Sequence, residues 1–146
     1  MIVADTNLLA YYYVEGPFTE EVRRVRLRDS EWVVPPLWRS EFLNVVWQYV
    51  RQGVFSEEDA LRRFREAERV VRVESSPPAE RVLGLAVQHN VTAYDATYAA
   101  LARLLGVQHV TYDQSAGRAW YRSAQLPELI LIARARLFSY GSAFRW

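Results

Sequence analysis

Short apolar runs alternate with longer segments of helical periodicity along most of this chain. The apolar runs have the length and composition of buried strands, and they fall at residues 2–4, 32–34, 71–73, 107–112 and 129–132. Strands that alternate with helices build βαβ units, in which helices cover both faces of a parallel sheet. The pattern therefore predicts an α/β fold with a central, mostly parallel five-stranded sheet flanked by helices.

The helical segments are bounded by residues that start and stop helices. Ser56 and Thr92 stand at N-cap positions, and Gly53 and Gly106 follow two of the segments. No internal repeat or linker divides the chain, so we predict a single domain over residues 1–146. The predicted helices cover roughly residues 19–29, 35–51, 56–70, 77–89, 92–105 and 114–124.

The composition excludes several kinds of catalytic site. The chain has no cysteine, its 18 basic residues are all arginine, and its only histidines are His89 and His109. These counts exclude a thiolate nucleophile, a catalytic lysine and a His-rich metal site. No apolar stretch approaches the roughly 20 residues of a membrane-spanning helix, and the N-terminal residues do not resemble a signal peptide. We therefore expect a cytoplasmic protein without a membrane partner.

Four carboxylates lie at or beside the ends of predicted strands. Asp5 ends the first strand, Asp113 ends the fourth, and Asp95 stands in the first turn of a helix. Glu41 is predicted in the second turn of another helix, where it cannot act as the cap. Ligand sites of parallel α/β sheets lie at the carboxyl ends of the strands, so the four acids are predicted to meet at one edge of the sheet.

Each of these acids also has an ordinary structural interpretation. Asp5, Asp95 and Asp113 are of a residue type favoured at helix N-caps and in first turns. Glu41 shares a polar stripe of its helix with Asn44, and that stripe faces either solvent or a polar cleft. From the residues alone, both alternatives stay open.

Carboxylates that cluster at one edge need a cation, because they otherwise repel one another. A ligand set made only of oxygen atoms is typical of Mg²⁺ or Mn²⁺. These ions also bind phosphate oxygens and activate water, which favours cleavage of phosphodiester bonds. The four acids therefore indicate a metal-dependent nuclease.

Four short motifs occur in order along the chain. They are Asp5-Thr6-Asn7 after the opening strand, Ser40-Glu41-x-x-Asn44, Tyr94-Asp95-Ala96-Thr97-Tyr98-x-Ala100-Leu101-Ala102, and Val110-Thr111-Tyr112-Asp113. Together they resemble a PIN domain, specifically a VapC-type ribonuclease toxin of a bacterial or archaeal toxin–antitoxin module. The resemblance extends from the first strand to about residue 132.

The resemblance implies roles for individual residues. It implies that the catalytic residues, which hold Mg²⁺ or Mn²⁺, are Asp5, Glu41, Asp95 and Asp113, and that the supporting groups beside them are Thr6, Asn7, Asn44 and Thr111. It also implies an endoribonuclease that cleaves RNA, forms a homodimer and is inhibited by a small antitoxin encoded beside it.

The C-terminal quarter of the chain is basic. Residues 1–110 carry a net charge of −2, and residues 111–146 carry +3. In the tail at 133–146, which matches no motif, arginines interleave with aromatic residues. This composition suits single-stranded RNA, although packing against the domain or across a dimer interface is the favoured interpretation. The alternative function is a catalytically weak PIN-like module that binds RNA or protein, against which the four intact acids argue.

Overall fold

A computed structural model describes residues 1–16, 18–113 and 118–122, with the backbone alone at residues 112–113 and 118–122. Over these residues the chain forms five strands and six helices. In chain order they are β1 (Ile2–Ala4), α1 (Thr6–Tyr13), α2 (Thr19–Arg28), β2 (Trp32–Val34), α3 (Trp38–Arg51), α4 (Glu57–Val70), β3 (Val71–Val73), α5 (Ala79–His89), α6 (Ala93–Leu105), β4 (Gln108–Asp113) and β5 (Arg118–Arg122).

The five strands form one sheet in the order β3-β2-β1-β4-β5. The central strand β1 pairs in parallel with β2 and with β4, and β3 extends the parallel part beyond β2. Only β5 is antiparallel, and it pairs with β4. The predicted α/β fold with a mostly parallel sheet flanked by helices is therefore confirmed.

The prediction of a helix at 114–124 is wrong, because residues Arg118–Arg122 form the strand β5. Its register against β4 places His109 opposite Arg122 and Asp113 opposite Arg118. Two features of the sequence explain the outcome. The segment that forms β5 contains aromatic residues, which favour strands. Four residues separate β4 from β5, a length that suits a hairpin, whereas a crossover to a parallel strand needs a dozen or more. The predicted strand at 129–132 and the tail at 133–146 lie outside the described residues.

Different helices cover the two faces of the sheet. On one face, Ile2 and Trp32 belong to a core that α1 to α4 complete, with Phe42 among its fully buried residues. On the other face, Val3 and Val33 pack against buried side chains of α6. Strand residues alternate between the two cores because successive side chains of a strand point to opposite faces.

The other helices follow the predicted boundaries closely, with two differences at the N-terminal half. Helix α1 was not among the predicted helices, since its eight residues are too few to show a clear helical period. Helix α3 begins at Trp38 rather than at 35, and the Trp38 N–H donates to the Pro35 carbonyl (3.1 Å) in the turn before it. In the part of the chain that the structure describes, no helix is long and apolar enough to cross a membrane.

Candidate active site

Asp5 links the central strand to the first helix. It follows β1 directly and is the N-cap of α1, where its Oδ1 accepts a hydrogen bond from the Leu8 N–H (2.8 Å). Its own backbone N–H donates to the Val110 carbonyl of β4 (3.3 Å). Both anchors fix Asp5 at the carboxyl edge of the two central strands, and the cap uses only one of its carboxylate oxygens.

Glu41 reaches the same edge from α3. Because α3 begins at Trp38, Glu41 lies in the first turn of the helix. The predicted position in the second turn is therefore wrong. Its side chain is partly buried, and its Oε2 accepts two hydrogen bonds, from Thr6 Oγ1 (2.7 Å) and from the Tyr98 phenol (2.5 Å). The two hydroxyl oxygens are themselves 2.8 Å apart. Glu41 is therefore held in a polar contact between α1, α3 and α6 and does not point freely into solvent.

Tyr98 is the residue that brings α6 into this contact. Its side chain is only 3% exposed and packs in the core beside Val3 and Leu101. Its ring lies nearly parallel to that of His109, with centroids 6.1 Å apart. Burial, followed by the negative charge of Glu41, raises the pKa of the Tyr98 phenol well above its usual 10.0. The phenol therefore keeps its proton at neutral pH and is a hydrogen-bond donor.

Asp95 stands in the first turn of α6, next to the N-cap Thr92. The Thr92 Oγ1 accepts a hydrogen bond from the Asp95 N–H (3.1 Å) and donates one to Asp95 Oδ2 (2.7 Å). This is the local capping arrangement that the sequence predicted for Thr92. The hydroxyl fixes one oxygen of the Asp95 carboxylate.

Burial destabilises the charged forms of all three carboxylates, and repulsion between them adds to this effect at Asp5 and Glu41. Burial is the main cause that raises the pKa of Asp5 to about 7, and the charges of Glu41 and Asp95 add to it against hydrogen bonds from Thr111 and from the α1 backbone. Burial likewise raises the pKa of Glu41 and of Asp95, and Asp95 repels Glu41. Among the described residues, none of the three has an ion-pair partner. A cation at this edge would remove the repulsion.

The donor set fits a hard divalent cation. It consists of carboxylate oxygens from three elements, with hydroxyl groups beside them, and Mg²⁺ and Mn²⁺ favour such ligands. In the part of the chain with described side chains, no group of three or more His, Cys, Asp or Glu residues is close enough to enclose an ion. The carboxylates of the described residues therefore do not enclose an ion in the metal-free protein, and their ligation of one is a proposal.

The remaining predicted site residues lie on α1, α3 and β4. Thr111 of β4 hydrogen-bonds to Asp5 through its side chain. Asn7 on α1 and Asn44 on α3 are partly buried. Asp113 closes β4 two residues after Thr111, but its side chain lies outside the described part, so its place as the fourth carboxylate stays a prediction.

Sequence reasoning assigned no role to the Tyr98 hydroxyl. A signal for it was present, because Tyr98 follows Asp95 by three residues and residues at this spacing share one face of a helix. The signal was weak, since a tyrosine in an otherwise apolar helix is as readily explained by core packing.

The sequence matches a known family and two curated relatives. Residues 2–119 match the PIN domain family. Ribonuclease VapC3 of Pyrobaculum aerophilum is 30% identical over 117 residues, which cover 77% of this chain and 89% of that protein. Exonuclease VapC9 of the same organism is 34% identical over 71 residues, or 49% of this chain and 53% of that protein.

Solved structures show the same fold. PAE2754 from Pyrobaculum aerophilum superimposes with a TM-score of 0.63 at 25% identity and covers 80% of this chain and 78% of its own. VapC20 of Mycobacterium tuberculosis, a toxin that cleaves the sarcin–ricin loop, superimposes with a TM-score of 0.58 at 22% identity over 80% of this chain and 94% of its own. On the family match, the VapC3 identity and the shared α/β fold, the chain belongs to the PIN-domain family, in its VapC branch.

Proposed function

We propose that this protein is a metal-dependent endoribonuclease and the toxin of a toxin–antitoxin pair. The observation that carries the proposal is that Asp5, Glu41 and Asp95, three partly buried carboxylates from three different elements, lie near enough to one another at the carboxyl edge of the parallel strands for their charges to interact. The kinship with Ribonuclease VapC3 supports RNA as the substrate.

Four acids would hold Mg²⁺ or Mn²⁺: Asp5, Glu41, Asp95 and Asp113. When bound, the ion would supply Lewis-acid activation of the phosphodiester and of the attacking water. The chain's own groups orient the ligands: the α1 backbone and Thr111 hold Asp5, while Thr92 holds one oxygen of Asp95. Thr6 holds Glu41, and Asn7 and Asn44 are the further polar groups that we place beside the site.

The partners that we propose follow from the VapC branch. VapC toxins pair with antitoxins and bind RNA, so we expect a small cognate antitoxin encoded beside this chain and an RNA substrate reached in the cytoplasm. We also propose that residues 1–146 act as one domain and associate as a homodimer. Co-expression with the neighbouring small protein should yield a complex that no longer cleaves RNA.

The substitution Glu41→Gln tests the proposed nuclease. It preserves size and helical propensity but removes one negative charge, so cleavage of single-stranded RNA in Mn²⁺ should fall by about 100-fold or more while the circular-dichroism spectrum is unchanged. The matched control is Glu80→Gln on α5, which removes one exposed charge from a residue outside the proposed site and should cleave like the unmodified protein.

The form of the RNA distinguishes the kinds of nuclease. An endonuclease linearises a circular RNA, whereas an exonuclease of the kind named for the relative VapC9 needs a free end. If the unmodified protein binds RNA in Mn²⁺ but cleaves neither linear nor circular substrates, the binding-module alternative replaces the enzyme. If Glu41→Gln cleaves at the unmodified rate, Glu41 is not part of the site.

A further inference from the structure

We propose that Tyr98 is a positioning residue that holds Glu41 in place for the metal-dependent reaction, an inference that rests on the proposed function. Tyr98 lies on α6 and Glu41 on α3. Their hydrogen bond joins two residues that are 57 positions apart in the sequence.

Two hydroxyl groups converge on a single oxygen of Glu41. Thr6 Oγ1 lies 2.7 Å and the Tyr98 hydroxyl 2.5 Å from Oε2, and both donate to it. A carboxylate oxygen that accepts two such hydrogen bonds is oriented and has little capacity left for further partners. The geometry therefore commits Oε2 to the protein and leaves Oε1 as the oxygen available to a cation.

The phenol is a rigid donor. The Tyr98 ring is 3% exposed, packs beside Val3 and Leu101, and lies nearly parallel to the His109 ring. A side chain locked by packing holds its hydroxyl in one place, and such support determines how well a ligand is placed before the ion arrives. Glu41 itself has three rotatable side-chain bonds, so without the phenol it would spend part of its time in other rotamers.

The test compares Tyr98→Phe with Tyr13→Phe. Both substitutions remove one hydroxyl from a buried aromatic ring. Among the described residues, the Tyr13 hydroxyl donates one long hydrogen bond of 3.4 Å, to the Glu66 carbonyl and not to a carboxylate of the site. Isothermal titration with Mn²⁺ should give a dissociation constant about 10–100-fold higher for Tyr98→Phe. Tyr13→Phe should bind Mn²⁺ like the unmodified protein.

The dependence of RNA cleavage on Mn²⁺ concentration provides a second measurement, which would not change if Tyr98 had a purely structural role. If Tyr98 acts by placing Glu41 for the ion, the Mn²⁺ concentration that half-saturates cleavage should rise for Tyr98→Phe. The rate at saturating Mn²⁺ should then approach that of the unmodified protein, because excess ion recovers the bound state.

A pair of substitutions at Thr6 keeps the test decisive if Tyr98→Phe does not fold. Thr6→Ser keeps the second hydroxyl on Glu41 Oε2, while Thr6→Val removes it at almost unchanged shape. Weaker Mn²⁺ binding by Thr6→Val than by Thr6→Ser supports the positioning of Glu41 through hydrogen bonds to its Oε2, which Thr6 shares with Tyr98. Equal binding by Thr6→Val and Thr6→Ser would show that these hydrogen bonds do not determine Mn²⁺ affinity and would overturn the inference.

The outcomes separate this inference from the function on which it rests. If the unmodified protein binds Mn²⁺ and Tyr98→Phe binds it equally well, the role of Tyr98 is overturned and the proposed metal site stands. If the unmodified protein binds no Mn²⁺, the proposed function and the positioning role are both overturned.

Discussion

At the scale of single residues, Asp5 is subject to opposing influences on its charge. As the N-cap of α1 it accepts a hydrogen bond from Leu8, and a helix N-terminus favours a negative charge. Its burial and the neighbouring charges of Glu41 and Asp95 act against that charge. The influences that disfavour the charge are larger, and they raise the pKa of Asp5 in the folded protein to about 7. The metal-free protein thus keeps a poorly tolerated carboxylate at its sheet edge.

This raised pKa predicts how stability depends on pH without metal. In the unfolded chain Asp5 releases its proton near its ordinary pKa of 3.8, whereas the folded protein keeps the proton until about pH 7. The stabilisation from this proton is therefore complete below about pH 4 and is lost as the pH rises to about 7. The loss is on the order of 4 kcal/mol at most.

Asp5→Asn provides the measurement for this pH dependence. Asparagine is an equally good N-cap, so the variant keeps the hydrogen bond from Leu8 but cannot titrate. The melting temperature of the unmodified protein should fall relative to that of Asp5→Asn between pH 4 and pH 7, with chelator present throughout. Parallel pH profiles of the two proteins would show that the Asp5 carboxyl ionises normally in the fold.

The site was predictable from the sequence where its geometry is local. Asp5 directly follows a strand and Asp95 stands three residues after the cap Thr92, so short-range rules were enough to place both near the sheet edge. The contact of Glu41 with Thr6 and Tyr98 joins residues 35 and 57 positions apart. Such a contact depends on how three helices pack, which the spacing of residue types does not encode.

At the scale of elements, helix ends were predictable because single residues determine them. The Ser56 side chain accepts a hydrogen bond from the Asp59 N–H (3.0 Å), and Gly106 ends α6 with a left-handed φ of 66°. The strand β5 was not predicted, because the choice between a strand and a short helix there depends on the exposed edge of β4, which is a property of the assembled sheet. Pairing with the preceding strand β4 overrode a local helical pattern.

Replacing glycine by alanine should have opposite effects on stability at Gly84, within α5, and at Gly106, the C-cap of α6. Gly106 adopts a positive φ that alanine tolerates poorly, so Gly106→Ala should lower the free energy of unfolding by about 1 kcal/mol. Gly84 lies inside α5, and a Cβ atom added there would meet nothing within 4 Å. Gly84→Ala should therefore raise the free energy of unfolding by about 0.5–1 kcal/mol.

Urea denaturation of both glycine variants, followed by circular dichroism, checks these signs. Neither glycine belongs to the proposed site, so RNA cleavage by both variants should match that of the unmodified protein. A stabilising Gly106→Ala would mean that α6 does not end in the left-handed conformation, and a destabilising Gly84→Ala would mean that the outer face of α5 is covered.

At the scale of the whole molecule, the sheet edge couples cation binding to folding. The carboxylates of Asp5, Glu41 and Asp95 come from residues far apart in the chain, so the cluster exists only in the folded state. Any ion that binds the cluster binds the folded protein and not the unfolded one, and it stabilises the fold by mass action. The same ion stabilises the charged forms of these buried carboxylates and relieves the repulsion between them.

Divalent metal should therefore raise the melting temperature of the protein. Mn²⁺ or Mg²⁺ at 100 times its dissociation constant adds about 2.7 kcal/mol to the free energy of unfolding, which corresponds to a shift of several degrees for a domain of this size. The double variant Asp5→Asn with Asp95→Asn removes two of the charges while keeping both side-chain shapes, and it should show no shift. Differential scanning fluorimetry at constant ionic strength, with NaCl as the comparison, separates specific binding from screening.

The single variant Asp113→Asn extends this measurement to the fourth acid. Asp113 ends β4, the strand that pairs with β1 immediately before Asp5. If Asp113 completes the ligand set, the metal-induced shift of Asp113→Asn should lie between those of the unmodified protein and the double variant. A shift equal to that of the unmodified protein would leave three acids as the ligand set. A melting temperature of the unmodified protein that does not respond to millimolar Mn²⁺ or Mg²⁺ would contradict a metal site at this edge altogether.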